Sequence, residues 1–357
     1  MAVRLKPLQD QVIVITGASS GIGLATAHLA ASRGARLVLV SRNGEALEAL
    51  SAEIRRGGGE AVTVIADVAR NDDLERVSAK AREAFGGFDT WVNNAGVAVY
   101  GTVEEVPLSD HRRVFDVDYW GVVQGSLIAA RDLRQRGGAI INIGSVLSDR
   151  AVVLQGPYCA AKHAVKGFTE TLRMELEHDG APISVTLIKP SAIDTPFFEH
   201  ARSLIDTPGI RNPPPAYDPA LVAKAILHAA ETPKRTIVVG FGGYVISLMG
   251  AHFPRATDLL MEAVGFQSQV TDVPTPARRR DNLYAPREDG MEHSGLPGGR
   301  RETSVYLEAQ LHPAVTVAAV AGIAAAIGGI VMARRAGRSR QGRVRDLESD
   351  YRRAGGA

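Results

Sequence analysis

The sequence predicts a doubly wound α/β fold, a parallel sheet covered by helices on both faces. Three observations carry that expectation. Short β-branched runs alternate with stretches of helical length from Val12 to about Val239, the latter carry apolar stripes at helical spacing, and the first run passes through a glycine-rich turn straight into a helix. Seven strands are expected, at Val12 to Thr16, Arg36 to Val40, Ala61 to Ala66, Thr90 to Asn93, Ala139 to Gly144, Ser184 to Lys189 and Thr236 to Val239. Between them Leu47, Leu50 and Ile54 recur at helical spacing, as do Leu74, Val77, Ala81 and Phe85, and later Val165, Phe168, Leu172 and Leu176. Each stripe is core.

A chain of 357 residues suits one large α/β domain with appendages. Hydrophobic content of 45%, charged content of 22% and a formal charge of +2 describe an ordinary globular protein, with no polycation to recruit nucleic acid. The single cysteine, Cys159, excludes an intrachain disulfide framework and fits a reducing compartment. Met1 to Asp10 hold no apolar run that would read as a secretory signal, so a cytoplasmic catalytic part is expected.

The first strand runs into Thr16-Gly17-Ala18-Ser19-Ser20-Gly21-Ile22-Gly23 and then a helix through Leu24, Ala27 and Leu29. Glycines there permit a tight turn and a close backbone approach, so the helix N-terminus can face a pyrophosphate. The second strand ends in Ser41-Arg42, where an acidic residue would accept from a free ribose 2′-hydroxyl. An arginine suits a 2′-phosphate and favours NADP over NAD; the bland reading of Arg42 is a solvated helix-start residue. Further on, Tyr158 and Lys162 are four apart on an expected helix and leave the same face, thirteen residues after Ser145. An ammonium there can stabilise a phenolate. A free phenol near pKa ~10 is a poor proton donor-acceptor at neutral pH, and lowering it by about three units takes ~4 kcal/mol.

In order and spacing these motifs resemble the short-chain dehydrogenase/reductase family, in its shorter branch, over roughly Leu8 to Gly240. The resemblance also rests on Asp67-Val68 after the third strand and Asn93-Asn94-Ala95-Gly96 after the fourth. It implies a Rossmann-like seven-stranded sheet and an enzyme that interconverts a carbonyl and an alcohol by hydride transfer. It implies Tyr158 as general acid or base, Ser145 as the group orienting the substrate oxygen, and Lys162 as the residue holding the nicotinamide ribose and depressing the phenol pKa. Cofactor contacts are implied for Gly17, Ser19, Ser20, Gly21, Ile22 and Gly23 of the turn, and for Ser41 and Arg42. Asp67 and Val68 would meet the adenine, Asn94, Ala95 and Gly96 would line the cofactor, and Pro190, Ile193 and Thr195 would meet the nicotinamide amide and phosphate. Family members commonly pair through helices corresponding to Ser109 to Arg134 and Tyr158 to Glu177, so a homo-oligomer is expected. Two departures stand out. Asp118 replaces the usual asparagine of the proton relay, adding a negative charge and losing a donor when ionised, and Ser191 follows Pro190 where glycine is usual.

Residues 1–240 are thus expected to form the NADP-binding catalytic domain and 241–271, with Leu248, Met249, Phe253, Leu259, Leu260, Met261 and Val264, a helical elaboration near the substrate site. Residues 272–312, rich in proline and glycine and carrying Arg278-Arg279-Arg280, read as a disordered linker. Residues 313–333 read as an apolar helix, with Ala314 to Ala333 long enough to cross a hydrocarbon core of about 30 Å, and 334–357 as a basic tail. Membrane association through that helix is expected, although the arginines after it would by charge alone remain on the cytoplasmic side. Together the apolar stretch and the anchor point to a lipophilic small-molecule substrate such as a steroid, retinoid or long-chain ketone. No metal is expected, because His111, His163 and His178 lack partners at ligand spacing, and Cys159 reads as a small helix residue. The alternative function is an NADP-binding scaffold or regulator with little turnover, motivated by Asp118 and the long tail.

Overall fold

A computed structural model describes residues 3–322 apart from 274–279, 288–289, 297–298 and 320. The central sheet holds seven parallel strands, β1 (Val12–Thr16), β2 (Arg36–Ser41), β3 (Ala61–Ile65), β4 (Thr90–Asn93), β5 (Gly138–Ile143), β6 (Ile183–Pro190) and β7 (Thr236–Val239). Every end lies within one residue of its expected place. Their spatial order is β3-β2-β1-β4-β5-β6-β7, with Ile13 of β1 paired to Leu37 on one side and Thr90 on the other. The chain therefore leaves β1 and β4 in opposite directions, and a crevice opens beyond their carboxyl ends.

All five residues of β1 are buried, as a strand covered on both faces requires. Val12 and Val14 join Val38, Val40, Trp91 and Ile140 in one layer of core, so Ile13 and Ile15 point to the other. The α-helices are α1 (Gly21–Ser32), α2 (Gly44–Arg56), α3 (Asn71–Phe85), α4 (Leu108–Phe115), α5 (Gly121–Leu133), α6 (Gly156–His178), α7 (Phe197–His200), α8 (Pro219–Glu231), α9 (Phe241–His252), α10 (Pro254–Ser268) and, among the described residues, α11 (Val305–Leu311). Helices α1 and α8 pack together, as do α3, α5 and α6. A π-helical turn, Asp116–Trp120, joins α4 to α5.

Buried polar side chains tie the second group of helices to the sheet. The Asn93 amide donates to Asn142 Oδ1 at 2.8 Å and Ser126 Oγ at 3.0 Å, and the Asn142 amide donates to Thr169 Oγ1 at 3.0 Å. The indole of Trp91 completes the set by donating to Asn93 Oδ1 at 2.8 Å. Satisfied buried polar groups of this kind fix one register, because a slipped strand would strand them unpaired.

Two C-terminal expectations change. Residues 272–312 are not a free linker in their described parts. Leu283 is fully buried in the main core, Asn282 N donates to His200 O at 2.8 Å, Gly21 N donates to Met291 O at 2.9 Å, and Arg300 and Arg301 pair in parallel with Ala216 and Tyr217. Charged contacts add to these, including Arg202 with Asp281 at 2.9 Å and Tyr284 Oη with Asp110 at 2.9 Å. Composition misreads this stretch because it is held by a few buried leucines, Leu283 and Leu307 among them, and by main-chain hydrogen bonds and charged contacts, which hardly raise its apolar content. The second change concerns the membrane segment. The chain divides into a unit of residues 1–307 and another of 308–357. Among the described residues no helix is long and apolar enough to cross a membrane, and residues 323–333 of the expected apolar helix, with the basic tail, lie outside the described residues. The described structure gives the anchor no support.

Burial of Leu283 yields the first test. Leu283→Ala removes a fully enclosed side chain and is expected to lower unfolding free energy by about 2–5 kcal/mol in urea titrations, while Leu283→Met costs less than about 1.5 kcal/mol. An alanine variant as stable as the parent would mean that residues 280–287 are not part of the folded unit.

Candidate active site

A cavity of about 520 Å3 opens at the carboxyl ends of the strands and is lined by the glycine-rich turn, the ends of β2, β4, β5 and β6, and parts of α6, α9 and α10. Gly17 and Gly21 have φ of +66° and +53°, the left-handed region that other residues enter at a cost. A Cβ on Gly17 would also lie 2.9 Å from Ala95 Cα. The Asn94 amide donates to Thr16 O at 2.9 Å, while Thr16 Oγ1 accepts from Asn94 N at 2.9 Å and from Ala95 N at 3.1 Å. The turn after β1 is thereby locked to the end of β4. Ser20 stands at the N-cap of α1 without making a side-chain cap bond, and lines the cavity.

Beyond the turn, Ser41, Arg42, Asp67 and Val68 line one end of the cavity. The Ser41 hydroxyl accepts from Asn43 N at 3.0 Å, and the Asn43 side chain caps α2 by accepting from Ala46 N at 3.1 Å. Asp67 pairs with Arg113 at 2.7 Å. Arg42 has no carboxylate within ion-pair distance among the described residues, and its terminal nitrogens donate to the carbonyls of Asn282 and Leu283. Burial pulls its pKa down, against the opposing charge of Asp67.

The other end holds the reactive group. Tyr158 and Lys162 project from α6 and Ser145 follows β5, and the three line the same end of the cavity, the Ser145 side chain accepting from Leu147 N at 3.0 Å. Lys162 is 3% exposed; its Nζ donates to Ile143 O at 3.1 Å and lies 5.4 Å from the centre of the Tyr158 ring. The same nitrogen is 3.2 Å from Asp118 Oδ2, close enough for an ion pair but without hydrogen-bond alignment, so that oxygen has no aligned donor among the described residues. Asp118 Oδ1 accepts from Val97 N at 2.8 Å. Asp118 belongs to the π turn, is wholly buried behind Lys162 and does not line the cavity.

These contacts set the proton affinities. Burial, and then the charge of Asp118, hold the Tyr158 phenol well above its usual range, with the Ser145 hydroxyl opposing them. Burial also raises the Asp118 carboxyl, partly offset by Lys162 and by the Val97 N–H. The Cys159 thiol is pushed up to about 11 by burial, which keeps it protonated and inert at neutral pH.

Of the expected site residues, Gly17, Ser19, Ser20, Gly21, Ile22, Ser41, Arg42, Asp67, Val68, Asn94, Ala95, Gly96, Ser145, Tyr158, Lys162, Pro190, Ile193 and Thr195 all line this cavity. Gly23 does not. A Cβ there would lie 2.0 Å from Gly17 O, so its glycine serves the packing of turn on helix. Leu260 and Val264 of the expected apolar stretch line this end, whereas sequence reasoning missed Ile246 beside them and Phe197, whose ring lies 5.6 Å from that of Tyr158. It also missed Asn282, Pro286 and Arg287, which reach the cavity from the C-terminal segment. No local motif marks them.

The α1 N-terminus without a side-chain cap, the left-handed glycines and an arginine without an ion-paired carboxylate among the described residues together fit a phosphate-bearing dinucleotide. The comparisons with known proteins agree. The pattern of the short chain dehydrogenase family matches residues 11–205. An uncharacterized oxidoreductase of Bacillus subtilis, YxnA, is 46% identical over 326 residues, covering 90% of this chain and 91% of its own. Among solved structures, a short chain dehydrogenase/reductase from Burkholderia phymatum in complex with NAD superposes with a TM-score of 0.61 and 27% identity, over 75% of this chain and 99% of its own. An alcohol dehydrogenase from Thermococcus sibiricus complexed with 5-hydroxy-NADP gives a TM-score of 0.57 and 26% identity, over 64% and 95%.

Proposed function

This chain belongs to the short chain dehydrogenase family of NAD(P)-dependent oxidoreductases, and from that premise we propose that it interconverts a carbonyl and an alcohol on a lipophilic substrate, with NADP as cofactor. The observation that carries the cofactor choice is Arg42, which follows β2 where a ribose 2′-hydroxyl would meet an acid and has no carboxylate within ion-pair distance among the described residues. Gly17, Ser19 to Ile22, Asn94 to Gly96, Pro190, Ile193 and Thr195 would hold the rest of the dinucleotide, with Asp67 and Val68 beside its adenine. When bound, the nicotinamide supplies the hydride donor or acceptor.

The chain's own residues handle the proton. Tyr158 gives its phenolic proton to the substrate oxygen in reduction and takes one back in oxidation. Ser145, on the same cavity wall, would orient that oxygen, and Lys162, with its nitrogen 5.4 Å from the centre of the Tyr158 ring, would hold the nicotinamide ribose. Asp118 works against Lys162. Its carboxylate cancels part of the ammonium's field and favours the neutral phenol, so the phenolate that alcohol oxidation needs forms less readily. Leu147, Val152, Phe197, Ile246, Leu260 and Val264 around the reactive end support an apolar substrate. Trp120, Leu127 and Met174 are about half exposed on the π turn, α5 and α6. They support pairing of two copies across these helices.

Three measurements test this reading. NADPH oxidation over a panel of apolar ketones and aldehydes is expected to fall about 10²–10⁴-fold in Tyr158→Phe. Equal rates for the two proteins would end the catalytic assignment, and no turnover by the parent on any of them would favour the scaffold reading. Asp118→Asn removes a negative charge that raises the phenol pKa, so the pH at which alcohol oxidation gains rate is expected to move down. A profile moving up, or not at all, contradicts the opposing role of Asp118. Leu127→Glu is expected to convert a dimer to monomers in sedimentation experiments, and an unchanged state removes α5 from the interface.

A further inference from the structure

We propose that Arg287, carried by the C-terminal segment, is a second cationic ligand for the cofactor's 2′-phosphate beside Arg42. The inference rests on the NADP reading above and assigns part of that site to a segment outside the matched family pattern.

A closed circuit of hydrogen bonds puts both guanidinium groups on one rim. Arg42 donates to Asn282 O, Asn282 N donates to His200 O at 2.8 Å, Arg287 Nη1 donates to Glu199 O at 2.5 Å, and Arg287 O accepts from Asn43 Nδ2 at 2.6 Å. Residues 199 and 200, and 42 and 43, are chain neighbours, so the loop closes. Arg42, Asn282, His200, Arg287 and Asn43 all line the cavity.

Charge around this circuit is unbalanced. Both arginines spend their described hydrogen bonds on carbonyls, which orient a guanidinium without neutralising it, and neither has a carboxylate within ion-pair distance among the described residues. The nearby acids are engaged elsewhere. Asp67 pairs with Arg113 at 2.7 Å, and Glu199 Oε1 accepts from Gly295 N at 3.0 Å. Two partly buried cations held in fixed forks, neither of them ion-paired to a carboxylate among the described residues, make a site for a dianion, and a phosphate monoester offers the matching oxygens. The pyrophosphate is the other phosphate a bound dinucleotide brings, but Arg287 is pinned through its main chain to Asn43, next to the proposed 2′-phosphate ligand.

The test uses 2′,5′-ADP and 5′-AMP, which differ only in the 2′-phosphate, titrated calorimetrically into the full-length protein, with NADPH and NADH binding followed by fluorescence. Arg287→Ala keeps the carbonyl that Asn43 grips. It is expected to weaken 2′,5′-ADP and NADPH about tenfold and to leave 5′-AMP and NADH within about twofold, with Arg287→Lys in between. Loss of both nucleotides alike would assign Arg287 to the pyrophosphate or to simple cover, and loss of neither would remove it from the site; either overturns the proposal. A parent protein that binds 5′-AMP as tightly as 2′,5′-ADP would instead sink the NADP reading itself. Melting temperatures of the nucleotide-free variants separate these outcomes from misfolding. Should the alanine variant fail to fold, Arg287→Lys and Arg287→Gln carry the same comparison.

Discussion

The buried ammonium of Lys162 is the constraint around which this molecule is arranged. Removing such a charge from water costs several kcal/mol even after relaxation, so it persists only where the fold surrounds it with acceptors. Here β5 supplies the Ile143 carbonyl and the π turn supplies Asp118. Each acceptor is itself fixed by packing. Asp118 is held by the Val97 amide and β5 by the Asn93–Asn142 bonds, so the sheet, the interrupted helix and α6 must all be in register before Lys162 has a place. Stability and chemistry meet in one nitrogen.

That arrangement makes Asp118 more than a variant letter. An amide in its place would accept and donate without altering the field at Tyr158, whereas a carboxylate 3.2 Å from the ammonium neutralises the charge that would favour a phenolate. Two burial effects oppose each other. Enclosure disfavours the ionised forms of both Asp118 and Tyr158, and the ammonium can stabilise only one of them fully.

The sheet was legible because parallel strands buried on both faces leave long apolar runs, and the helices between them must show a stripe; those two periodicities place strand ends to within a residue. The reactive cluster was legible for a different reason. Tyr158 and Lys162 are one helical turn apart, and the glycine turn is local, so spacing alone assembles them. What escaped was long-range. Leu283 reaches a core whose other residues lie between Val12 and Val185, and Asn282 and Arg287 meet Arg42 and Asn43 through main-chain carbonyls that have no sequence signature. A proline- and glycine-rich composition describes a chain that cannot build its own core, and that is a different property from being unable to join one.

Joining an existing core has a consequence for how the cofactor site is bounded. In a doubly wound sheet the crevice beyond β1 and β4 is open on the solvent side, and a dinucleotide lying there would be exposed along one edge. Residues 280–296 run over that edge in their described parts, anchored at Leu283 in the core, at Asn43 beside the end of β2, and at Gly21 on the N-terminus of α1. The Met291 carbonyl already takes the Gly21 N–H, so the turn presents its remaining donors from a backbone fixed on both sides. Rigidity gained this way lowers the ordering cost of binding, since the segment's conformational entropy is lost on folding and not again when a ligand arrives. The C-terminal segment is thus a wall of the site, and the sheet domain alone would offer the same side chains in a looser and more hydrated cleft.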